Sequence, residues 1–144
     1  MTVLEMKKLV DSGTAGFVYV YYPGHGNGEM GTKALYCASE KGKFWEVHDL
    51  LMNNDGFNLI NNTVQNDRTK SDQLAQFLAP AIDSGFMGEC LSSAKYEKTI
   101  ARDEQFSPTI GFNGTPTFII NTTVINGAQD YKQMEPGIQK ALGN

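Results

Sequence analysis

Cysteine is scarce in this sequence, which contains two in 144 residues, Cys37 and Cys90. They lie too far apart for a CxxC motif, and two thiols alone cannot supply the four ligands of a structural zinc site. Histidine is equally scarce, and neither His25 nor His48 has a cysteine or histidine at metal-ligand spacing. We therefore expect no metal ion in this protein.

Runs of basic or of apolar residues are missing as well. Twelve lysines and arginines are scattered among sixteen acidic residues, and the net charge of −4 argues against a nucleic-acid partner. No apolar stretch approaches the roughly 20 residues that cross a bilayer, and the mixed charge of residues 1–8 is unlike a signal-peptide core. We expect no membrane insertion, and a signal for export would have to lie outside this chain.

The sequence does have the composition of a globular domain. Hydrophobic residues make up 40% and charged residues 19%, which is too much apolar content for a disordered chain. A length of 144 residues suits one domain with a sizeable core.

The first part of the chain predicts a helix followed by a strand. Apolar residues recur at helical spacing over residues 3–10, and Ser12-Gly13 provides a stop. Residues 17–22 are all apolar or aromatic and predict a strand buried on both faces. Because helices separate this strand from the later ones, we expect it to pair with them in parallel.

The middle of the chain predicts a block of helices. A helical pattern covers residues 29–52 and breaks near Gly42, whereas the polar stretch 53–70 is predicted to be irregular. Three apolar side chains of that stretch are expected to face inward: Phe57, Leu59 and Ile60. The expected N-caps of the later helices are Ser71, Asp83 or Ser84, and Ser93.

A β-hairpin and a last helix are predicted at the C-terminus. Residues 117–120 and 123–126 have strand composition and flank a tight turn at Asn121-Thr122. Asp130 can cap the last helix, in which Pro136 predicts a kink or a late start. This order of elements indicates an α/β protein with a mixed sheet and a mostly helical insertion.

Pro116 gives the strongest signal for a functional site. It lies directly before the strand at 117–120, and a proline lacks the N–H that the interior of a strand would need. A cis bond would turn the chain sharply and expose the backbone of Thr115, which could then pair with an extended peptide. The residues alone favour an ordinary trans bond, because few X–Pro bonds are cis.

The two cysteines leave three interpretations open. They could be free buried thiols, a structural disulfide in an oxidising compartment, or a redox-active pair. The redox-active pair is the least favoured, because Cys37 is predicted to lie in the middle of a helix. A catalytic thiol usually needs a helix N-terminus to lower its pKa.

A glycine-rich stretch, Gly26-Asn27-Gly28-Glu29-Met30-Gly31, matches a nucleotide-binding fingerprint. It follows a predicted strand and opens a helix, where a pyrophosphate could bind. The next segment is helical, so no second strand brings an acidic residue towards a ribose. We interpret the stretch as a flexible loop and expect no bound cofactor.

Three blocks of sequence resemble the DsbA-like thiol–disulfide oxidoreductases of the thioredoxin superfamily. Residues 34–49 and 90–96 resemble the insertion helices of that family. Residues 114–121 (Gly-Thr-Pro-Thr-Phe-Ile-Ile-Asn) and 125–129 (Ile-Asn-Gly-Ala-Gln) resemble its cis-proline loop and closing hairpin. The blocks occur in the family's order, and the resemblance extends from about Phe17 to the C-terminus.

The resemblance implies a thioredoxin-like mixed sheet with a helical insertion domain. Residues 1–28 and 108–144 would form the thioredoxin-fold parts, and residues 29–107 would form the insertion. Family members act in the periplasm or elsewhere outside the cytoplasm, where disulfides persist.

The resemblance also implies roles for four residues. Pro116 would be cis, and Thr115 would present its backbone to a substrate peptide beside the reactive disulfide. Cys37 and Cys90 would form a second, structural disulfide, as in some relatives.

One departure from the family is large. Such enzymes carry a central strand and then a CxxC motif at the N-terminus of the first helix, where the helix dipole stabilises the thiolate. This chain begins inside what resembles that helix, so we assign no catalytic residue and expect a truncated domain without the first central strand. Either residues 17–22 pair directly with residues 117–120, or a second copy fills the gap in a homodimer.

The sequence therefore predicts a disulfide-exchange domain that acts on unfolded or cysteine-containing exported proteins, in a chain that lacks the reacting pair and is inactive alone. The alternative is a non-catalytic peptide-binding or scaffold module that uses the same loop. Whether the chain is an enzyme stays open between these two.

Overall fold

The computed structural model describes residues 2–24, 26–111 and 114–143. The chain divides into two compact units. The terminal unit combines residues 1–24 with 106–144, and the middle unit comprises residues 25–105. The mixed α/β class predicted from the sequence is confirmed, because a helical block lies between the first helix and a small sheet.

Eight α-helices and two β-strands occur in the described residues: α1 (Thr2–Asp11), α2 (Glu29–Ser39), α3 (Phe44–Leu51), α4 (Asn54–Leu59), α5 (Ser71–Phe77), α6 (Ser84–Ser92), α7 (Glu97–Phe106), β1 (Thr117–Ile120), β2 (Thr123–Asn126) and α8 (Tyr131–Ala141). A π-helical turn covers Ile60–Val64, and short 3-10 turns cover Arg68–Lys70 and Ser107–Ile110. No helix in these parts of the chain is long and apolar enough to cross a membrane.

The predicted hairpin is confirmed in the terminal unit. β1 and β2 pair in antiparallel register, with Phe118 opposite Ile125 and Ile119 opposite Val124. Asn121 makes the turn with a φ of 54°, a left-handed conformation that asparagine tolerates better than most residues. Helix α8 begins after Asp130, packs against β1 and buries two apolar side chains, Met134 and Ile138.

The strand predicted at residues 17–22 is wrong. The segment forms no strand, and the sheet in the described residues consists of the antiparallel pair β1 and β2. Val18 is 84% exposed whereas Tyr21 is 6% exposed, so the segment is not buried on both faces. Strand propensity reflects packing against neighbouring strands, and among the described residues no strand pairs with this segment in a ladder. The predicted direct pairing with residues 117–120 is therefore absent as well.

The middle unit is built around α2, whose residues from Thr32 to Ala38 are all buried. Helices α5 and α6 pack closely, because Gly88 has no side chain at their contact: a Cβ there would lie 2.9 Å from Asp72 Oδ1. The largest completely buried apolar side chains of this unit are Met30, Leu35, Cys37, Val47, Val64, Leu74, Leu78, Met87 and Leu91. The predicted break near Gly42 is confirmed, since α2 ends at Ser39 and α3 begins at Phe44.

The stretch 53–70 is more regular than predicted. The side chain of Asn53 accepts a hydrogen bond from the backbone of Gly56 at 2.8 Å and caps α4, after which the π-helical turn follows directly. Of the three side chains expected to face inward, Ile60 is buried, whereas Phe57 is 64% exposed. Local capping therefore orders an asparagine-rich sequence that lacks a clear apolar period.

Of the four predicted helix caps, those at Ser71 and Ser93 are wrong, whereas Asp83 and Asp130 lie at the N-cap positions of α6 and α8. Ser71 is buried and donates its hydroxyl to the Arg68 carbonyl at 2.6 Å, because a 3-10 turn precedes α5. Ser93 follows α6, and α7 begins later, at Glu97. Asp83 caps α6 by accepting a hydrogen bond from the Phe86 backbone at 2.8 Å.

Candidate functional site

The loop that enters β1 carries the two residues predicted to bind substrate. Thr115 and Pro116 are both exposed, and the peptide bond between them is cis. The loop ends where Thr117 begins the strand, so an extended peptide lying on it would also reach the edge of β1.

Three residues of the hairpin hold this loop. Gly127 donates its backbone N–H to the carbonyl oxygen of Pro116 at 2.8 Å, which extends the strand pairing by one step beyond Thr117 and Asn126. The Thr117 hydroxyl donates to the Gly114 carbonyl at 2.7 Å and lies 3.1 Å from Asn126 Oδ1. Gly127 has a φ of 85°, a conformation that glycine adopts without a steric penalty. The loop is therefore fixed at both ends.

In the part of the chain that the structure describes, β1 has a strand on one side, β2, and no strand on the other. Ile119 and its cross-strand partner Val124 lie on the same sheet face and are 43% and 39% exposed. An extended peptide can add to such an edge through its backbone, while its side chains contact the exposed apolar pair.

The cysteines are joined by a disulfide between α2 and α6. The Cα atoms of Cys37 and Cys90 are 6.2 Å apart, and the bond links residues 53 positions apart within the middle unit. Cys37 has no exposed surface, whereas Cys90 is half-buried. Because the sequence contains these two cysteines alone, this chain offers no free thiol.

A charged cluster lies beside Cys90. Glu40 Oε1 is 3.9 Å from Cys90 Sγ and 2.7 Å from Lys95 Nζ, and it also accepts a hydrogen bond from the Tyr96 hydroxyl. The Lys95 ammonium, followed by the Tyr96 hydroxyl, lowers the pKa of Glu40 below its ordinary 4.5. Burial, together with the neighbouring carboxylate, raises the pKa of Tyr96 above its ordinary 10.0.

The glycine-rich stretch before α2 is held by an asparagine distant in sequence. Asn66 Oδ1 accepts a hydrogen bond from the Met30 backbone at 3.3 Å, and Asn66 Nδ2 donates to the Gly26 carbonyl at 2.9 Å. One backbone donor at the start of α2 is therefore already engaged, which weakens the case for a pyrophosphate at this helix N-terminus. His25, which precedes the stretch, lies outside the described residues.

The second histidine belongs to an aromatic cluster on α3. His48 stacks on Phe44, its ring lies edge-on to Trp45, and its Nδ1 is 3.3 Å from Asp49 Oδ1. No group of three or more potential metal ligands occurs among the residues that the structure describes.

Sequence reasoning missed Glu40, Asn66 and Gly127. Glu40 and Asn66 act on residues more than thirty positions away, and no periodicity or motif marks such contacts. Gly127 could have been found, because a glycine directly after a hairpin strand is a common sign of a positive φ.

Comparison with known proteins places the chain in a family. The family model described as thioredoxin matches residues 3–140. The chain is 25% identical over 139 residues to the Na(+)/H(+) antiporter NhaA 3 of Salinispora tropica, a match that covers 94% of this chain and 20% of that protein. It is 24% identical over 118 residues to the Na(+)/H(+) antiporter NhaA 1 of Salinispora arenicola, covering 82% of this chain and 17% of that protein. No solved structure matches the chain. The chain thus spans a fifth or less of the length of the curated relatives it matches. Because the family model covers nearly all of the chain, the chain belongs to the thioredoxin family.

Proposed function

We propose that this chain binds extended segments of unfolded, cysteine-containing proteins and is the substrate-docking part of a DsbA-like thiol–disulfide oxidoreductase. One observation carries the proposal: the exposed loop at Thr115 and Pro116 is fixed at the entrance of β1, whose second edge faces no strand in the described residues. Membership of the thioredoxin family supports it.

The docking would use the backbone of the substrate more than its sequence. A peptide beside β1 gains affinity from main-chain hydrogen bonds, and contact with Ile119 adds apolar burial. Such recognition suits an activity that must accept many unfolded proteins, because every peptide has the same backbone.

Disulfide transfer needs a reactive sulfur pair that these 144 residues do not contain. In the exchange, a substrate thiolate attacks one sulfur of an oxidised CxxC pair, a mixed disulfide forms, and the other sulfur leaves as a thiolate. Because the two cysteines form no CxxC pair and Cys37 has no exposed surface, we propose that this chain contributes docking and no disulfide transfer to the docked substrate.

A second candidate is a peptide-binding or scaffold module without redox chemistry. The same loop supports it, and so does the bonded state of Cys37 and Cys90. The two candidates differ in whether a partner with a CxxC pair is needed for the biological effect.

We also propose that the protein works in an oxidising compartment, the periplasm or another space outside the cytoplasm. The Cys37–Cys90 disulfide supports this location, because such bonds rarely persist in a reducing cytosol. We propose no ion transport for this chain, since the matched segments cover a fifth and about a sixth of the length of the two antiporters.

Isothermal titration with a reduced and alkylated insulin B chain tests the docking. We expect binding without any free cysteine on the peptide. Ile119→Ala should raise the Kd about fivefold, because the variant removes apolar burial at the contact. Val18→Ala is the matched control, since it shortens an apolar side chain that is 84% exposed outside the sheet. No binding, or equal weakening by both variants, would contradict the proposal.

Sedimentation equilibrium of the wild type, Ile119→Lys and Val18→Lys tests whether a second copy occupies the edge of β1, as the predicted homodimer requires. A dimer that Ile119→Lys dissociates and Val18→Lys leaves intact would assign the edge to a second copy in place of a substrate. A monomer for all three proteins supports the substrate-docking proposal.

A further inference from the structure

The two sulfurs of the disulfide are in different surroundings. Cys37 has no exposed surface, and its helix neighbours Tyr36 and Ala38 are buried too. Cys90 is half-buried near the end of α6, where the chain leaves the helix at Ser93. A reagent in solution therefore has exposed surface to approach at Cys90 and none at Cys37.

The direction of attack decides which thiolate is released. Exchange requires an incoming thiolate to reach one sulfur while the other leaves with the negative charge. A thiolate in apolar, water-free surroundings is disfavoured, because burial raises the pKa of a thiol. Attack at Cys90 releases Cys37 into such surroundings, which makes the reaction slow, and attack at Cys37 is sterically blocked.

We propose that Cys90 is the modification site of this disulfide and takes up small thiols of the glutathione type as a mixed disulfide, while Cys37 is always the leaving sulfur. The thiolate sulfur bonds to Cys90 Sγ, and the Cys37–Cys90 bond breaks. The electron pair of that bond stays on Cys37, which takes a proton from water, so no further oxidant or reductant is consumed. This inference does not depend on the proposed docking function.

Within the charged cluster, the Glu40 carboxylate adds a barrier on the Cys90 side. The Glu40 carboxylate, 3.9 Å from Cys90 Sγ, repels an incoming thiolate, and its pairing with Lys95 and Tyr96 keeps it in place. Removing one unit charge at this distance changes a rate by about fivefold when water screens the interaction. The site therefore favours slow, selective modification over rapid exchange.

Peptide mapping of the folded protein tests the assignment. The chain is treated with reduced glutathione, quenched with acid at intervals, blocked with N-ethylmaleimide and analysed by mass spectrometry. We expect glutathione on Cys90 and the maleimide on Cys37, and adducts on both cysteines when the same reaction is run in denaturing urea. Glutathione on Cys37 in the folded protein, an equal mixture, or no adduct while the unfolded chain reacts would each overturn the proposal.

Single variants provide a second measurement that does not require a transient adduct. Cys37→Ser leaves Cys90 free, Cys90→Ser leaves Cys37 free, and each is incubated with oxidised glutathione after circular dichroism has shown that it is folded. We expect modification more than about tenfold faster at Cys90, because a buried thiol is less ionised and less accessible. Comparable rates in two folded variants would contradict the assignment.

The contribution of the carboxylate is measured separately. Glu40→Gln is expected to raise the rate of glutathione attack on the disulfide by about fivefold. Glu46→Gln is the control. Glu46 lies on α3, and its carboxylate pairs with another exposed lysine, Lys43, just before that helix. An unchanged rate for Glu40→Gln would remove Glu40 from the proposal, and a rate raised equally by both variants would show a general charge effect.

Discussion

Gly127 donates its backbone N–H to the carbonyl oxygen of Pro116 at 2.8 Å, which ties the residue after β2 to the residue before β1. This bond closes the open end of the hairpin and sets the position of the exposed loop. Since the candidate docking site consists of that loop and the adjacent edge of β1, its geometry depends on a residue that would never contact a substrate.

Gly127→Ala is expected to destabilise the terminal unit. Gly127 has a φ of 85° and open space where a Cβ would be placed, so the penalty is purely one of backbone conformation, about 1–2 kcal/mol. Urea unfolding followed by circular dichroism measures it as a lower midpoint. Gly16→Ala is the matched control, because Gly16 also has open space around it and no positive φ. Equal stability of the two variants would contradict the account.

The same substitution separates loop position from loop composition. Gly127→Ala leaves Thr115, Pro116 and Ile119 unchanged, yet it weakens the bond that holds the loop. We expect weaker binding of the alkylated insulin B chain by Gly127→Ala and unchanged binding by Gly16→Ala. Wild-type affinity in a destabilised Gly127→Ala protein would show that the loop does not need this anchor.

No thiol–disulfide turnover is expected from this chain alone. The two cysteines form no CxxC pair, Cys37 has no exposed surface, and the sequence contains no other cysteine. Reduction of insulin and oxidation of a dithiol peptide should stay at the background rate, as turbidity and fluorescence assays can measure. Turnover that is lost on Cys37→Ser or Cys90→Ser would overturn this prediction, because it would make the disulfide a catalytic group that is regenerated in each cycle, beyond a site of slow modification.

Sequence patterns predicted those parts of the fold that are determined locally. The hairpin at residues 117–126 follows from strand composition on both sides of an Asn-containing turn. The break between α2 and α3 follows from Gly42, whose φ of 65° suits glycine. Asp83 was found because a cap acts within three residues of itself. In each of these places the deciding contacts are close in sequence.

The failures concern contacts that are distant in sequence. Residues 17–22 have the composition of a strand, but composition does not supply the neighbouring strand that a ladder needs. In the stretch 53–70, the side chains of Asn53 and Asn66 bond to backbone groups, so order there comes from polar contacts and not from an apolar period. The loop at Thr115 and Pro116 was predicted from a proline at the entrance of a strand, and the resemblance added the expectation of a cis bond. Its anchor at Gly127 was not predicted.

Removing the disulfide is expected to lower the free energy of unfolding by about 4 kcal/mol, because the bond closes a loop of 53 residues whose freedom returns to the unfolded chain. The double variant Cys37→Ala/Cys90→Ala avoids leaving a free thiol. Urea unfolding of this variant and of the wild type, with and without reductant, gives the measurement. Reductant should not change the variant. A loss below about 1 kcal/mol would show that the middle unit does not depend on the bond.

Asn66→Ala is expected to cost about 1–2 kcal/mol, because it removes the amide that bonds to Met30 and Gly26. Asn66 also has a φ of 61°, so Asn66→Gly separates the effects: it loses the amide and keeps the backbone freedom. Asn62→Ala, at an exposed position, is the control.

Equilibrium dialysis of the wild type against ATP or NAD should show no retention, and retention would restore the nucleotide interpretation of the glycine-rich stretch.

Glu40 is expected to give a pH-dependent contribution to stability. Its pKa is lowered in the folded state, first by the Lys95 ammonium and then by the Tyr96 hydroxyl. A carboxyl group whose folded pKa lies below its unfolded value stabilises the protein fully above the unfolded value, here 4.5. That contribution disappears as the pH falls through the lower, folded value. Because the Glu40 side chain is 28% exposed and Lys95 is more exposed still, we expect Glu40→Gln to cost no more than about 1 kcal/mol at pH 7.

The measurement compares urea unfolding of the wild type and Glu40→Gln from pH 7 to pH 3. The wild type should be the more stable above pH 4.5, and the two curves should converge below it, because a protonated Glu40 resembles glutamine in charge. Lys95→Met tests the first cause: in that background the difference between Glu40 and Gln should shrink at pH 7, since the ammonium contributes most to the shift. A difference that is independent of pH would mean that the contact with Tyr96 and packing around Cys90, and not ionisation, determine the role of Glu40.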